Sequence, residues 1–378
     1  MYYNPFTRVV RINANEPLFL DIQGNRLLVH GTIALQEGGR PPQLNLHIDT
    51  PFREGVPIAL PIDTVLAPGG PFEAEGGIET ISLRVTGPAI SPVIQGNVQL
   101  ALRNIRMLGQ PIFQSMGGTL QFEYAPGDEP GEVRSRRLVF PERQFRITNT
   151  DGDQSGTVYV VGEIDYPSLA GIRQVGEGQQ IGHLALVPSE PGTILPITGF
   201  GMQSGLVFQE GSEPLAVQLT SAGIQLSGDL ILAPGRLDLR RLPNFGAAVE
   251  GGAVVPVPLV FNLRTRFPDG FEVVGPSDLD VELDPGTLTI SGNPLAPTVV
   301  GRIVARRGSF AVLGREFELT EPATLTFDGI YGLNPLLTAV AETTIEAPDP
   351  TALSGRNRVT ITVSVSARLQ ELGDEASP

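Results

Sequence analysis

The stretch Leu288–Phe327 reads LTISGNPLAPTVVGRIVARRGSFAVLGREFELTEPATLTF. Aliphatic residues occupy alternate positions along it, and Gly or Pro interrupts the alternation wherever one segment gives way to the next. A period of two residues is typical of a β-strand with one apolar face, and Gly and Pro favour turns. The stretch therefore predicts three strands joined by turns.

A second copy of this pattern lies 205 residues upstream without a gap. It repeats both the turn residues and the last strand, with Gly87, Pro92, Gly96 and Thr119–Phe122 in the places of Gly292, Pro297, Gly301 and Thr324–Phe327. Two copies that stay in register over about 40 residues indicate an internal repeat.

The centre of the repeat is a five-residue pattern: an aliphatic residue, any residue, Gly, a polar residue and an aliphatic residue. It occurs around Gly31, Gly96, Gly162, Gly228 and Gly301, at intervals of 65 to 73 residues. Such even spacing predicts five structurally equivalent strands. Because residues two apart share a face of a strand, each copy has an apolar face that lacks a side chain at its middle.

A glycine inside a strand marks a bulge, a bend or a place of close approach. Repeated at one parity, these glycines favour a sheet that curls around its apolar face. The alternative is that they lie at five ordinary corners of a β-sandwich. The expected fold is therefore all-β: an elongated, curved, mostly antiparallel repeat sheet, shaped as a U-shaped trough or β-taco, with an apolar interior.

This single array is predicted to span residues 1–378, in five units around the five glycines. At about 11 residues per strand and turn, the chain would form on the order of 30 strands. The charged segment Ala125–Arg137 is the candidate hinge, and residues 369–378 form a tail. One possible helical piece is Ala367–Glu375.

Composition narrows the function classes. The net charge of −15 and the pI near 4.7 argue against nucleic acid as a partner and against adhesion to anionic lipid headgroups, since both need a basic face. The absence of Cys excludes disulfides, thiolate metal sites and cysteine nucleophiles. No apolar run is long enough for a membrane-spanning helix, and no secretory signal opens the sequence. The chain is therefore either cytoplasmic or an internal piece of a longer exported protein.

The sequence predicts no active site and no cofactor, so the chain is not expected to be an enzyme. His30, His47 and His183 stand alone in separate predicted strands, which argues against a metal site. Asn149–Asp153 resembles the start of a calcium loop but lacks its Gly and Glu, which favours a hairpin loop. Ser204 lacks the Gly two residues before it that a nucleophile elbow requires.

Residues 259–368 resemble the C-terminal region of the TamB family of bacterial translocation and assembly module proteins, most closely over 270–368. Four segments carry the resemblance: Gly286–Ile303, Arg307–Leu319, Ala323–Gly329 and Asn334–Leu337. Ala323 departs from the family pattern, which has Gly at that place.

This resemblance implies a β-taco with an apolar inside and a polar outside. TamB resembles the AsmA-like group of bridge-like lipid-transfer proteins. The resemblance therefore also implies a role in carrying phospholipid between the inner and outer membranes. A second implied role is the assembly of outer-membrane β-barrel proteins beside a TamA-like barrel partner. The implied location is the periplasm and cell envelope, within a longer membrane-anchored chain, because the family's N-terminal membrane helix is missing here.

Three functions are therefore carried forward: lipid conduction or shielding, a scaffold for β-barrel assembly, and a structural β-repeat of the cell envelope. The predicted ligands are phospholipid or fatty-acyl chains, which would contact the side chains of one parity: Val29, Ile33, Ile94, Val98, Leu120, Phe122, Val160, Ile164, Leu226, Leu230, Val299, Ile303, Leu325 and Phe327. The predicted edge for a client strand is formed by Val359, Ile361, Val363 and Val365. Replacing Val98 or Ile303 with Asp is expected to block lipid passage and to leave the fold intact.

Overall fold

A computed structural model describes most of the chain. The described residues are 1–5, 7–22, 25–37, 40–50, 72–107, 110–127, 133–165, 180–199, 201–210, 213–220, 223–241, 259–275, 278–293, 296–312, 314–332, 334–348 and 356–368. The predicted tail at 369–378 lies outside them.

The described residues form β-strands almost throughout, with a single 3₁₀ turn at Leu239–Arg241. Strands β1 to β9 are Tyr2–Asn4, Val9–Ile12, Leu18–Ile22, Asn25–Ala34, Gln43–Asp49, Phe72–Pro88, Val93–Met107, Gln110–Pro126 and Val133–Asp151. Strands β10 to β17 are Gln154–Asp165, Gln180–Pro188, Ile194–Gly199, Met202–Val207, Ala216–Thr220, Gly223–Ile231, Arg236–Asp238 and Leu259–Phe267. Strands β18 to β25 are Phe271–Val274, Asp280–Leu283, Gly286–Asn293, Ala296–Val312, Arg315–Leu319, Ala323–Asp328, Leu336–Pro348 and Arg356–Arg368.

These 25 strands form a mostly antiparallel sheet, which confirms the predicted all-β class and the predicted pairing. Among the described registers, two pairs run parallel instead, β15 with β17 and β16 with β18.

The chain divides into two compact units. Unit 1 consists of Met1–Asn149, Thr157–Ser189 and Ala216–Gly223. Unit 2 consists of Thr150–Gly156, Glu190–Leu215 and Ile224–Pro378. The five-unit array remains a prediction of the sequence.

In unit 1, the strand register joins apolar residues of neighbouring strands into continuous rows. One such row, here called the apolar row, crosses seven strands from β2 to β9 and consists of Ile12, Gly31, Leu46, Val85, Ile94, Tyr124 and Arg136. Cross-strand partners share a face, so this row defines what we call the apolar face of unit 1.

The adjacent row, shifted by one residue, lies on the opposite face and is polar throughout. This polar row consists of His30, His47, Arg84, Gln95, Glu123 and Arg137. The predicted division into an apolar and a polar face is therefore confirmed for these strands.

All five pattern glycines have a backbone angle φ between +122° and +158°. At Gly31, with φ of +131°, a Cβ atom would lie 2.2 Å from the carbonyl oxygen of Asn45 on the neighbouring strand. An L-residue rarely adopts this φ, and no side chain fits so close to a backbone carbonyl. The pattern thus repeats a local backbone conformation as well as a sequence.

The 205-residue repeat is also present in the strand register. In unit 1, Gly96 pairs with Leu83 on one side and Phe122 on the other. In unit 2, Gly301 pairs with Leu288 and Phe327, which stand 205 residues later in each case. The two copies therefore form the same three-stranded arrangement.

Unit 2 contains two runs of strands that share β21. The first half of β21 pairs with β20 and β23, and its second half pairs with β19 and β22. Strand β21 spans Ala296–Val312, a length of 17 residues, which lets it contribute to both runs. The register shifts at the junction, between Glu282 and Leu283 on β19.

Several details differ from the sequence expectation. Strands β6 to β9 are 15 to 19 residues long, because they continue through positions where alternation is interrupted by register shifts. The predicted hinge Ala125–Arg137 is wrong at both ends, since β8 runs to Pro126 and β9 begins at Val133. The predicted helical piece at Ala367–Glu375 is wrong at its start, where β25 continues through Arg368.

Replacing Gly31 with Ala should lower the free energy of unfolding by about 1–3 kcal/mol, because Ala must adopt an unfavourable φ and displace the β5 backbone. Gly286 is a matched control: it has no left-handed φ, and its added Cβ would meet no atom closer than 3.6 Å. Urea unfolding of the two variants measures the difference. Equal losses at both positions would contradict a special role for the pattern glycine.

Candidate functional site

The predicted lining residues share the apolar parity, but their exposure differs between the two units. In unit 1, six of them are partly buried and keep some accessible surface: Val29, Ile33, Ile94, Val98, Phe122 and Ile164. Leu120 and Val160 are buried, with 7% and 6% of their surface exposed. Ile12 and Val85 of the apolar row are buried as well, at 3% and 7%.

In unit 2, the matching face is closed in its central part. Val299 is 0% exposed, Ile303 3% and Leu325 4%, while Leu226, Leu230 and Phe327 remain partly buried. A sheet face reaches such low exposure only when other atoms of the chain cover it. The face around Val299 and Ile303 is therefore a packed core of the protein.

This closure corrects one expectation. Ile303 was expected to tolerate Asp, yet a carboxylate at a side chain that is 3% exposed would be buried without a partner. The equivalent residue of the upstream repeat, Val98, is only partly buried, so a carboxylate at this position would still have access to water.

The far end of the long strands in unit 1 has its own packed cluster. Leu102 and Ile105 are buried, and they are surrounded by the partly buried Ala74, Leu100, Ile112, Phe113 and Met116. The accessible part of the apolar face thus lies toward Ile94 and Phe122, away from this cluster.

The predicted client edge lies on β25. All thirteen residues of β25 pair with β24, and the described registers join its other edge to no strand. Ile361, Val363 and Val365 are partly buried and Val359 is 40% exposed, whereas the alternate positions from Arg358 to Ser366 are exposed. The predicted amphipathic strand is confirmed.

The end of β25 is held by Arg368. Its guanidinium forms an ion pair with Asp328, donates a hydrogen bond of 3.1 Å to the carbonyl oxygen of Asn334, and lies 4.0 Å above the ring of Tyr331. The hydrogen bond from Arg368 holds the pKa of Asp328 below its usual value. The salt bridge therefore persists until the pH falls through this lowered pKa.

The histidines do not all stand alone. His30 and His47 are cross-strand partners on the polar face, and their rings stack with centroids 5.1 Å apart and planes 11° apart. Nδ1 of His30 lies 3.7 Å from Oδ2 of Asp49, and Oδ1 of the same carboxylate accepts a hydrogen bond from the Ser82 hydroxyl. Sequence spacing could not show this pair, because it is created by the β4–β5 register. Within the described ranges, no group of three or more acidic or histidine side chains is placed to hold a metal ion.

The predicted hairpin loop after Asn149 is confirmed. Strand β9 ends at Asp151 and β10 begins at Gln154, with Gly152 at a φ of +56°. The side chain of Asn149 is buried and turns inward, where it accepts a hydrogen bond from the backbone of Gln114 and donates one to the carbonyl of Ile112. This oxygen is thus engaged in packing β8 against β9.

Sequence reasoning missed Arg136. It falls in the segment taken for a loop, but the structure places it in β9, where it pairs with Tyr124 of the apolar row. The signal was the spacing: Arg136 stands two residues before Leu138, which the sequence already assigns to a strand, so both side chains lie on one face of it.

Comparison with protein families decides the chain's relationship. The family described as the TamB C-terminal domain matches residues 143–373. The chain belongs to the TamB family. This confirms the resemblance found from the sequence and extends it upstream of residue 259. Membership makes the chain a protein of the cell envelope.

A search of curated proteins finds no match. None of the helical structure in the described ranges is long and apolar enough to cross a bilayer.

Substituting Asp at the two equivalent repeat positions should separate the open face from the closed one. Ile303→Asp should lower the free energy of unfolding by about 3–5 kcal/mol, because it removes a buried side chain and buries a charge. Val98→Asp should cost less than half as much, because its carboxylate can reach water. Denaturant unfolding measures both. Equal losses would mean that the face around Val98 is also a closed core.

Proposed function

We propose that this TamB-family chain holds phospholipid acyl chains on the apolar face of unit 1, and that it carries or shields them between the inner and outer membranes. In this proposal the chain acts in the periplasm as part of a longer membrane-anchored protein. The observation that carries the proposal is the apolar row, which carries no charged residue from Ile12 to Tyr124 over six strands. Its members Leu46, Ile94 and Tyr124 are only partly buried.

Hydrocarbon burial supplies enough free energy for such binding. Each buried CH₂ group contributes ~0.8 kcal/mol, so a chain of about 16 carbons gains on the order of 10 kcal/mol before ordering costs. This gain is spread along the row and needs no single polar anchor for the acyl chain. A uniform path favours sliding over fixed binding, and the proposal assigns no catalytic step to the protein.

Unit 1 is favoured over unit 2 as the lipid-binding part because of the difference in exposure. Ile94 and Val98 keep accessible surface, whereas their repeat equivalents Val299 and Ile303 are at most 3% exposed. The apolar row from β2 to β8 lies upstream of the residues matched to the family. The shared register of the two repeat copies supports extending the family's architecture to these strands.

A phospholipid-transfer assay tests the proposal. Val98→Asp should slow the transfer of a fluorescent phospholipid between vesicles by roughly tenfold, since a carboxylate would face the acyl chain. Asn97→Asp is the matched control, because Asn97 is exposed on the polar face of the same strand and gains the same charge.

The control should transfer lipid at the wild-type rate. Unchanged transfer by Val98→Asp would contradict the proposed face. A similar loss in both variants would assign the effect to net charge and not to the groove.

The edge of β25 favours a second candidate function, a scaffold for outer-membrane β-barrel assembly with a TamA-like barrel partner. A strand edge without a partner offers backbone donors and acceptors to an added strand. The described registers join the outer edge of β25 to no strand from Arg356 to Ala367.

Photo-crosslinking distinguishes this scaffold from a purely structural envelope repeat. A crosslinker at Ser366 on β25 should capture barrel proteins, whereas one at its cross-strand partner Thr338 on β24 should capture far less, because Thr338 is flanked by β25 on one side and by Thr324 of β23 on the other. Both side chains are exposed, so accessibility is matched. Equal capture at both positions, or none, would argue against the edge as a docking site.

A further inference from the structure

The polar face of unit 1 holds two of the three histidines of the chain side by side. His30 on β4 and His47 on β5 are cross-strand partners, and their rings stack with centroids 5.1 Å apart. Both residues are partly buried, and 30% of the His30 side chain remains exposed. Cross-strand partners carry their Cβ atoms about 4.5–5.5 Å apart, which is close enough for two imidazoles to reach one ion.

The carboxylate of Asp49 favours one tautomer of His30. Its Oδ2 lies 3.7 Å from Nδ1 of His30, and its Oδ1 accepts a hydrogen bond of 2.7 Å from the Ser82 hydroxyl. A negative charge at this place favours the proton on Nδ1, which leaves the lone pair of Nε2 available to a ligand. Histidines that bind metal ions are commonly oriented by a carboxylate in this way.

The other contacts around the pair leave its remaining ring nitrogens accessible. Among the described residues, the rings of His30 and His47 contact each other, and His30 approaches Asp49. The next residue of the polar row, Arg84, pairs with His47, but its guanidinium donates a hydrogen bond of 3.3 Å to the side chain of Asn45. This hydrogen bond directs the guanidinium along β5, toward a residue two positions before His47.

A pair of neutral imidazoles on adjacent strands is a ligand set for a transition-metal ion. Imidazole is the commonest protein ligand of such ions, and Zn²⁺ accepts it in a tetrahedral arrangement. We propose that His30 and His47 bind one divalent transition-metal ion of the Zn²⁺ class, with Asp49 as the carboxylate that orients His30. The stacked rings tilt toward each other to share the ion, which then bridges β4 and β5.

The composition of the chain favours this pair over other ligands for the same ion. The sequence contains no Cys and three His, and the third, His183, has Glu163 and Gln218 as its cross-strand partners. The net charge of −15 attracts cations to the protein, but carboxylates alone prefer Ca²⁺ and Mg²⁺.

The proposed site is an open one. The described residues offer no group of three or more acidic or histidine ligands, so two imidazoles leave two of the four tetrahedral positions of Zn²⁺ to water. The pair belongs to the polar row, on the face opposite to the apolar row. The ion would therefore bind independently of any lipid, and the result of its test leaves the proposed function unaffected.

Zinc titration of the full chain, without a histidine tag, tests the proposal. Isothermal titration calorimetry should show one Zn²⁺ bound per chain. His47→Asn should weaken this binding by roughly tenfold or more, because one of two protein ligands is lost, and Asp49→Asn should weaken it by roughly tenfold through the orientation of His30. His183→Asn is the matched control and should bind Zn²⁺ as the wild type does.

X-ray absorption of the Zn²⁺-loaded wild-type chain gives a second measurement that needs no variant. It should show two imidazole nitrogens at about 2.0–2.1 Å from the ion, and excess Mg²⁺ should not displace the ion. Equal affinities of the His47→Asn and His183→Asn variants would overturn the proposal. A wild-type chain that binds no Zn²⁺, or a spectrum that fits oxygen ligands alone, would overturn it as well.

Discussion

The structure depends on keeping strand parity across many consecutive pairings. A shift of one residue between two strands exchanges their faces, because side chains alternate with a period of two. In unit 1 such a shift would exchange Gly31 and Leu46 for His30 and His47 at the same place in the sheet. The hydrophobic cost of exposing one row and burying the other fixes the register strongly, and it does so at each of the six steps of the apolar row.

The pattern glycines give this regular register a local backbone conformation that other residues disfavour. Their positive φ values lie where other residues are strained, and the neighbouring strand passes too close for a Cβ atom. A glycine at the middle of the apolar face therefore lets the neighbouring backbone come close at that point, while the residues on either side keep their faces. The same conformation recurs in both units, with Gly96 and Gly301 in identical cross-strand surroundings.

Much of this could be predicted from the sequence, because local period and long-range repetition are visible in a single chain. The β class, the two-faced strands, the equivalence of residues 205 apart and the TamB relationship all follow from such patterns. Strand length could not be predicted well, since register shifts let β6 to β9 continue past interruptions of the alternation. The stacked histidines and the placement of Arg136 depend on which strands become neighbours, and no local pattern encodes that choice.

The difference between the two units has the same origin. Val98 and Ile303 occupy equivalent positions, and the sequence gives no reason to treat them differently, yet only Ile303 is covered by the rest of the chain. Whether a face is closed depends on the elements packed over it, which lie far away in sequence. The two copies thus share one architecture and differ at these positions: Val299 and Ile303 are buried in unit 2, whereas Ile94 and Val98 are only partly buried in unit 1.

The central claim is that the partly exposed apolar residues of unit 1 hold hydrocarbon chains. Native mass spectrometry of the chain after incubation with phospholipid vesicles and removal of the vesicles measures this directly. The account predicts added masses that correspond to whole diacyl phospholipids, which are lost when the gas-phase collision energy is raised. A spectrum that contains only the bare chain under the mildest conditions would contradict the claim.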